Sequence, residues 1–209
     1  KNATMEASSH TLCYFNGKEE VVISDACYDY YTYAAEEPVI VYGAYSQSNV
    51  SKVKLSEIDY YYDVYTMVEE ALYSDIEKFI AVEGAATAFE EEKNATNFRI
   101  NDAGTEIYYI DDIPDEKEYG SLYSITIKKG VPGKAEVYDD DVYSSYLSLA
   151  NGKDIVYFKD YKEEKGELYI NKNKVDYDVY RYSVNVDEDG NVFYFTDWNS
   201  EKSYGTMKV

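Results

Sequence analysis

Apolar residues along this chain gather in short runs that are separated by turn residues. Residues 155–158 (IVYF) and 192–195 (VFYF) are apolar at every position, and residues 107–110 (IYYI) and 39–42 (VIVY) are similar. A strand with one wet face alternates apolar and polar residues, whereas a strand covered on both faces does not. Because the runs are short and rich in β-branched and aromatic residues, they predict strands rather than helices. We therefore expect small sheets whose middle strands are dry on both sides.

Three landmarks recur in one order and indicate a tandem repeat. Each apolar run ends close to an Asp, a Gly-led strand follows, and an Asp-Val-Tyr segment comes next. The landmarks are Asp112, Asp160 and Asp197, then Gly120, Gly166 and Gly205, and the Asp-Val-Tyr segments at 63–65, 141–143 and 178–180. The aligned Asp residues lie 48 and 37 residues apart. Each unit is predicted to be a four-stranded antiparallel meander of that length.

The strands of the clearest unit are bounded by turn signals. Asn151-Gly152 is a strong hairpin signal, and Asp189-Gly190 occupies the same place in the next unit. The predicted strands are residues 143–149, 154–158, 167–171 and 174–177, and then 180–186, 192–196 and 204–209. We expect residues 105–209 to consist of clear repeat units.

The first half of the chain is interpreted as divergent units of the same kind. Asn16-Gly17 predicts a hairpin turn, and the spacing of apolar residues over 63–73 predicts one short helix. The predicted strands are residues 11–16, 19–24, 28–34, 39–45, 50–55, 79–82 and 85–90. The whole chain, 1–209, is thus predicted to be a single all-β repeat domain of about five units, with 1–104 divergent. Small meanders stacked flank to flank are typical of a β-propeller, closed or as an open fragment.

The repeat resembles that of bacterial extracytoplasmic β-propeller proteins. The similarity rests on the apolar-Tyr-x-x-Asp, Gly-x-Leu-Tyr and Asp-Val-Tyr segments, and it is good over residues 105–209 and weaker over 1–100. The nearest kind is a group of tyrosine-rich surface proteins and lipoproteins of Gram-positive anaerobes, distantly similar to TolB-like propellers. The resemblance implies a binding or scaffolding module outside the cell and supplies no catalytic residues.

Charge narrows the range of partners. The chain has 41 acidic and 20 basic residues, a formal net charge of −21, and the excess of acid is spread over both halves. A field of this sign repels phosphate backbones and anionic lipid, so nucleic acid and direct membrane insertion are not expected. The sequence begins at Lys1 with no signal segment, and we expect an exported protein whose targeting segment has been removed.

Aromatic residues supply the candidate ligand site. The chain has 27 tyrosines and a single tryptophan, and most of the tyrosines fall in predicted strands. Tyr161 and Trp198 each follow a repeated Asp, Asp160 or Asp197, where a propeller gathers its loops on one face. Tyr161 and Trp198 are predicted to form an aromatic platform for a glycan or peptide, with Asp160 and Asp197 as further ligand-binding residues. The alternative is that the two rings pack on the loops that follow them.

Carboxylates supply the candidate metal and catalytic groups. Asp187, Asp189 and Asn191 offer oxygen ligands around a glycine turn and predict a calcium site, with a plain hairpin turn as the alternative. No other cofactor is expected. Paired acids such as Asp139-Asp140-Asp141 and Asp111-Asp112 suit glycosidase chemistry, but Asp also favours turns. The single histidine, His10, leaves little material for a catalytic triad.

These observations favour a non-enzymatic binding or scaffolding module of an exported bacterial protein. Its expected partner is a glycan, a peptide or a surface protein. The alternatives are a carboxylate-dependent glycan hydrolase and a structural spacer within a larger surface protein. A hydrolase would place two carboxylates about 5–10 Å apart in one deep pocket. A spacer would lack any concave aromatic or acidic patch.

Overall fold

The computed structural model describes residues 10–45, 76–88, 95–114 and 117–209. These residues form 16 strands and one 3-10 turn at Arg181–Ser183, all strand pairs with an assigned register being antiparallel. The all-β prediction is therefore confirmed for this part of the chain. The predicted helix over 63–73 and the predicted strand over 50–55 lie outside the described residues. The chain divides into two compact units, residues 1–32 with 38–90, and residues 33–37 with 91–209.

Five strands in chain order make up sheet 1. They are β1 (His10–Phe15), β2 (Glu20–Tyr33), β3 (Val39–Tyr45), β4 (Ile76–Val82) and β5 (Ala85–Ala88). The predicted β1–β2 hairpin is confirmed, and Asn16 closes it by accepting hydrogen bonds from the backbone N–H groups of Lys18 and Glu19, both at 3.0 Å. The two strands predicted between residues 19 and 34 are one continuous strand, β2.

The core of the first unit lies on β3 and its neighbours. Val41 and Tyr42 are buried, and the Tyr42 ring stacks on Phe79 of β4 with 5.4 Å between centroids. Cys27 is buried in the same cluster, while Cys13 is exposed, and both are free thiols. The predicted dry run over 39–42 thus lies on a central strand of sheet 1.

Three smaller sheets make up the second unit. Sheet 2 contains β6 (Thr96–Ile100), β7 (Glu106–Asp111), β8 (Tyr119–Lys128) and β9 (Val131–Tyr143). Sheet 3 contains β10 (Leu147–Ala150), β11 (Asp154–Lys162), β12 (Lys165–Ile170) and β13 (Asn173–Tyr180). Sheet 4 contains β14 (Asn185–Val186), β15 (Val192–Asn199) and β16 (Tyr204–Lys208).

Sheets 2 and 3 are the four-stranded meanders that the sequence predicts. Uniform four-stranded units are not found, because sheet 1 has five strands and sheet 4 has three among the described residues. The predicted strand over 180–186 is also wrong in part, since the 3-10 turn at Arg181–Ser183 interrupts it. The Asn151-Gly152 turn is confirmed, with positive φ at both residues as a type I′ turn requires.

The middle strand of sheet 3 is buried on both faces. Successive side chains of a strand point to opposite faces, so β11 supplies two apolar layers. Ile155 and Tyr157 lie in a cluster with residues of sheet 2, whereas Val156 and Phe158 lie in a cluster with Val192 and Tyr194 of sheet 4. Sheets 2, 3 and 4 therefore pack face to face. Because β11 is covered on both faces, residues 155–158 are all apolar.

The repeated Asp and Gly residues form a bulge that crosses three strands in sheets 2 and 3 and two strands in sheet 4. Asp112, Asp160 and Asp197 have φ of 53°, 47° and 52°, and Asp141 and Asp178 have φ of 54°. Asp tolerates this left-handed conformation better than most residues. A Cβ on the Gly opposite would lie 2.4 to 3.0 Å from the carbonyl oxygen preceding that Asp, for Gly120, Gly166 and Gly205 alike. Only glycine fits without a shift of the backbone.

The β8–β9 hairpin of sheet 2 is longer than the matching β12–β13 hairpin of sheet 3. Its tip is the Lys129-Gly130 turn, where both residues have positive φ. The additional residues account for most of the difference between the 48-residue and 37-residue spacings. The remaining two residues lie between Asp112 and Gly120, a segment that is two residues longer than that between Asp160 and Gly166.

Candidate functional site

Tyr161 and Trp198 occupy equivalent positions, and each stacks on the last tyrosine of the preceding sheet. The ring centroids of Tyr161 and Tyr143 lie 3.9 Å apart, and those of Trp198 and Tyr180 lie 4.8 Å apart. The two rings of each pair are nearly parallel. Both partners are the tyrosines of Asp-Val-Tyr segments, so the contact recurs after 37 residues. The two predicted platform rings are thus separate links between neighbouring sheets, and each has one face covered.

Arg181 covers the Tyr143–Tyr161 pair. Its guanidinium carbon lies 5.4 Å from the Tyr143 centroid, 5.5 Å from that of Tyr161 and 4.3 Å from that of Tyr182, within the range of cation–π attraction. Its Nη1 also donates to the Tyr143 hydroxyl at 3.2 Å. Burial raises the pKa of Tyr161 to about 12, although the nearby Arg181 charge opposes the rise. Tyr161 therefore stays a neutral phenol.

Asp160 and Asp197 are the left-handed residues of the repeated bulge, as described above. The Asp197 carboxylate accepts a hydrogen bond from the Thr196 hydroxyl at 3.3 Å. Asp160 lines two neighbouring clefts, one formed mainly by sheet 2 and one formed by sheet 3. The four predicted site residues therefore form two pairs along the stack.

The larger of these two clefts, here the Asp cleft, has a volume of about 700 Å³. Four carboxylates of sheets 2 and 3 line it, together with one lysine, one tyrosine and three other residues. The acidic lining residues are Asp112, Asp140, Asp141 and Asp160. The lysine of the lining is Lys117 and the tyrosine is Tyr119. The bulge thus turns three of the repeated Asp residues toward one solvent-open groove.

The smaller cleft on the other side of Asp160 has a volume of about 350 Å³. Its charges are mixed, because Lys162 and Lys165 line it beside Glu163, Glu167 and Asp178. Lys165 donates to Asp178 at 3.3 Å. This internal pairing leaves less uncompensated charge than in the Asp cleft.

A carboxylate on the last strand of one sheet binds a tyrosine and a lysine beyond it. Asp139 of β9 accepts hydrogen bonds from Tyr157 and from Lys159, the latter at 2.9 Å. Burial raises the pKa of Asp139, but these two hydrogen bonds outweigh that effect and hold it below its usual value. The bound carboxylate in turn raises the pKa of Tyr157, in addition to burial. Asp139 therefore connects sheets 2 and 3 as an ionised group.

The same link recurs between sheets 3 and 4. Asp176 of β13 accepts hydrogen bonds from Tyr194 at 3.2 Å and from Lys208 at 2.6 Å. Burial opposes ionisation here too, yet the hydrogen bonds leave the pKa of Asp176 lowered. Asp139 and Asp176 are 37 residues apart, as are Tyr157 and Tyr194. One of the predicted glycosidase candidates thus has a defined role in packing.

The calcium candidates form a hairpin turn. The Asp187 carboxylate accepts hydrogen bonds from the backbone N–H groups of Asp189 (3.0 Å) and Asn191 (2.8 Å) and from the Asn191 side chain (2.9 Å). The Asn191 side-chain hydrogen bond is the main reason why the pKa of Asp187 is lowered. No cluster of three or more His, Cys, Asp or Glu side chains suited to a metal occurs in residues 10–45, 76–88, 95–114 and 117–209. N–H groups thus already bind both carboxylate oxygens of Asp187, one of the three predicted ligands.

Neighbouring hairpin turns are also in contact at the opposite end of the sheets. The Asp102 carboxylate lies where a Cβ on Gly152 would be, and the Asn151 side chain lies where a Cβ on Gly190 would be. The Asp102 N–H also donates to the Gly152 carbonyl at 2.8 Å. An open cleft of about 580 Å³ follows these turns. Because each turn glycine lacks a Cβ, a side chain from the turn of the preceding sheet packs directly against it.

The sequence patterns did not identify three residues of these contacts, namely Tyr143, Tyr180 and Arg181. The Asp-Val-Tyr repeat marked the two tyrosines as landmarks, and their 37-residue spacing equals that between Tyr161 and Trp198. That equality was a signal for a repeated contact. Arg181 carries no such signal, because Ser144 takes the corresponding place after Tyr143.

Among the described residues, no helix is long and apolar enough to cross a membrane. A scan against protein-family models finds no match for this chain. A search of curated proteins likewise finds no significant relative.

Proposed function

We propose that this protein is a non-catalytic binding module of an exported bacterial protein, and that its Asp cleft binds a basic segment of a peptide or surface protein. The stacked sheets of the second unit belong, in this proposal, to a propeller-like array. The resemblance of residues 105–209 to extracytoplasmic repeat proteins supports both the architecture and the location outside the cell.

The observation that carries the proposal is the uneven use of the carboxylates. Asp139 and Asp176 lie between sheets and are neutralised there by Lys159 and Lys208. The carboxylates of the Asp cleft instead line a groove with Lys117 as their only lysine neighbour in its lining. A concave surface lined by one sign of charge concentrates ligands of the opposite sign. A Lys- or Arg-rich segment fits that field.

Carboxyl pKa values favour binding over hydrolysis. A glycan hydrolase needs a general acid whose pKa is raised so that it holds a proton near neutral pH. Every described carboxyl group with a displaced pKa is shifted downward instead, namely Asp139, Glu167, Asp176 and Asp187. These groups are suited to holding cations and N–H donors.

A glycan is a weaker candidate for the aromatic residues. A sugar stacks on an open aromatic face, but Tyr143 covers one face of Tyr161, which Arg181 also approaches, and Tyr180 covers one face of Trp198. The Asp cleft also contributes only one aromatic ring, that of Tyr119. We therefore place peptide binding ahead of glycan binding.

Binding of a fluorescein-labelled, Arg-rich ten-residue peptide to the full chain tests this function. We expect saturable binding that weakens with salt, and a loss of at least about ten-fold in affinity in the triple variant Asp112→Asn, Asp140→Asn, Asp160→Asn. Asn keeps the shape of Asp and tolerates the left-handed backbone.

The matched control is Asp25→Asn, Glu136→Gln, Glu201→Gln, which removes three charges from exposed positions elsewhere. Equal losses in both triple variants would mean that net charge alone attracts the peptide, and the cleft proposal would fail. Release of reducing sugar from a bacterial polysaccharide, abolished by Asp140→Asn, would overturn the non-catalytic assignment.

A further inference from the structure

Positive charge in this acidic chain is concentrated at the tip of the β8–β9 hairpin. Residues 126–134 (TIKKGVPGK) contain three lysines and no acid, and no other stretch of nine residues in the sequence reaches a net charge of +3. Between its repeated Gly and the Asp of the next Asp-Val-Tyr segment, sheet 2 has nine more residues than sheet 3, and the basic stretch lies within this longer segment. The extra length of the hairpin thus adds a basic segment to a chain of net charge −21.

The lysines of this hairpin are open to solvent. We define the arm as residues 124–137, and its lysines, Lys128, Lys129 and Lys134, are all exposed. None of the three forms an ion pair with a carboxylate in the part of the chain that the structure describes. The lysines at the boundaries between sheets are, by contrast, bound by carboxylates. The charge of the arm is therefore available to an acidic partner.

Two of these lysines share one face of the arm. Lys128 and Lys134 both line a groove of about 320 Å³, in which Glu136 is the one carboxylate. Val131 lines the same groove and is 66% exposed. This face therefore presents two ammonium groups and an apolar side chain together.

The Asp cleft is complementary to this face of the arm. Its lining combines four carboxylates and a single lysine with the ring of Tyr119 and with Pro114. Lysine side chains can pair with the carboxylates while Val131 packs against Tyr119 or Pro114, and such a combination of polar and apolar contacts is usual in protein interfaces. The two surfaces therefore match in charge and in apolar content.

The arm and the Asp cleft lie at opposite ends of one continuous ladder. β8 and β9 pair from Gly120 and Val142, beside the cleft, to Lys128 and Val131 at the tip. At about 3.3 Å per residue, the tip lies about 25–30 Å from the cleft. Because the two strands are paired over this length, the arm cannot fold back into the cleft of its own chain. The matching arm must come from another molecule.

We propose that the arm of one copy of this protein binds in the Asp cleft of a second copy. Lys128 and Lys134 pair with the cleft carboxylates, and Val131 lies against the ring of Tyr119. This inference rests on the function proposed above for the Asp cleft and identifies the basic segment that the cleft binds. Because the two surfaces lie at opposite ends of one sheet, the contact is heterologous, and its repetition joins copies head to tail in chains or rings.

Sedimentation equilibrium of the full chain tests this contact. At about 0.15 M salt, repulsion between whole copies is screened more strongly than the pairs within the contact, and we expect the average mass to rise with concentration up to about 1 mM. The double variant Lys128→Glu, Lys134→Glu is expected to associate at least about ten-fold more weakly. The matched control is Lys18→Glu, Lys153→Glu, which reverses two exposed charges elsewhere and is expected to change the association constant less than about three-fold.

A mixture of two variants tests whether the contact is heterologous. The arm variant, with both lysines reversed, keeps an intact cleft, and the Asp-cleft triple variant keeps an intact arm. Each is expected to remain a monomer by itself. When they are mixed, one productive contact is possible, so we expect dimers that contain one copy of each variant and no larger species.

Three outcomes would overturn the proposal. They are a wild-type chain that stays monomeric at about 1 mM, equal weakening by the arm variant and its control, and a mixture of the two variants that forms no dimer. The arm variant is expected to bind the Arg-rich peptide as the wild type does. A chain that binds this peptide in its Asp cleft but never associates would therefore retain the proposed function and exclude a second copy as the partner.

Discussion

Sheets 3 and 4 carry the same repeat signature but differ in how well it is buried. In sheet 3, Phe158 lies opposite Leu168 and both are fully buried. In sheet 4, Phe195 lies opposite Met207, yet Phe195 is half-buried and Met207 is exposed. The difference arises because sheet 3 has a neighbour on each face. The sequence of a repeat therefore specifies its strands, while the sheets beside it determine its burial.

This contrast predicts unequal stability along the second unit. In a stacked array each sheet gains stability from the interfaces with its neighbours. Sheet 3 has two such interfaces within the described residues, formed by the clusters around Ile155 and around Val156. Sheet 4 has only the second of them among the residues that the structure describes. Sheet 4 is thus expected to open locally before sheet 3.

The largest effect is expected from truncating the equivalent residues Leu168 and Met207. Leu168→Ala removes a fully buried side chain and is expected to lower the free energy of unfolding by about 3 kcal/mol. Met207→Ala is expected to lower it by less than about 0.5 kcal/mol, because its side chain is exposed. Urea unfolding followed by far-UV circular dichroism measures both values. Similar losses in the two variants would mean that both sheets are equally covered in solution.

A smaller difference is expected at the bulge glycines. A Cβ at position 166 would lie 3.0 Å from the Lys159 carbonyl oxygen, and one at 205 would lie 2.8 Å from that of Thr196. Gly166→Ala is expected to cost about 2 kcal/mol, since β12 is held between two strands and cannot shift. Gly205→Ala is expected to cost less than about 1 kcal/mol despite the closer contact, because β16 can move outward.

Thermal unfolding of the two glycine variants, each with Gly133→Ala as a reference, measures this order. Gly133 has one close neighbour, the Thr126 carbonyl oxygen at 3.1 Å. A greater loss for Gly205→Ala would show that distance, not freedom of the edge strand, controls the cost.

The smallest effect is expected from the two carboxylate links. Asp139→Asn and Asp176→Asn are each expected to cost about 1 kcal/mol at neutral pH, because asparagine keeps an acceptor but loses the charge. The pKa of each carboxyl is lowered in the folded state, so its contribution is fully present above its unfolded pKa of about 3.9 and is lost as the pH falls through the folded pKa. The gap between wild type and variant should therefore begin to narrow below about pH 4 and close once the pH is below the folded pKa.

Denaturant titrations at pH 3 and pH 7 provide the measurement. The fluorescence of Trp198, the single tryptophan, reports on the sheet 3–sheet 4 boundary, where Asp176 lies. Asp176→Asn should change that signal more than Asp139→Asn does. A gap that is the same size at pH 3 as at pH 7 would assign the loss to packing rather than to ionisation.

Local sequence patterns were sufficient to predict most of the strands, although β6 and β9 were not predicted. The runs at 155–158 and 107–110 predicted strands buried on both faces, and the structure confirms them. Asn16-Gly17 and Asn151-Gly152 located two hairpins, because few residue pairs adopt their backbone conformations. The break at Arg181–Ser183 was not predicted, since its residues are compatible with a strand.

The same local patterns did not predict the contacts between sheets. Tyr161 and Trp198 were identified as equivalent, but nothing in their own neighbourhoods indicated that Tyr143 and Tyr180 would cover them. The partners of Asp139 likewise lie on another sheet, and turn propensity alone explained its position. Such contacts depend on how sheets stack, and the repeat spacing was the one trace of them in the sequence.

The β8–β9 hairpin shows where the repeat can change in length. The number of residues from Asp141 to Asp160 equals that from Asp178 to Asp197, so the segment that joins one bulge to the next does not vary. Length instead varies in the arm that ends at Lys129-Gly130. An epitope or reporter inserted at that tip would extend a hairpin that already tolerates extra residues, without changing the pitch of the stack.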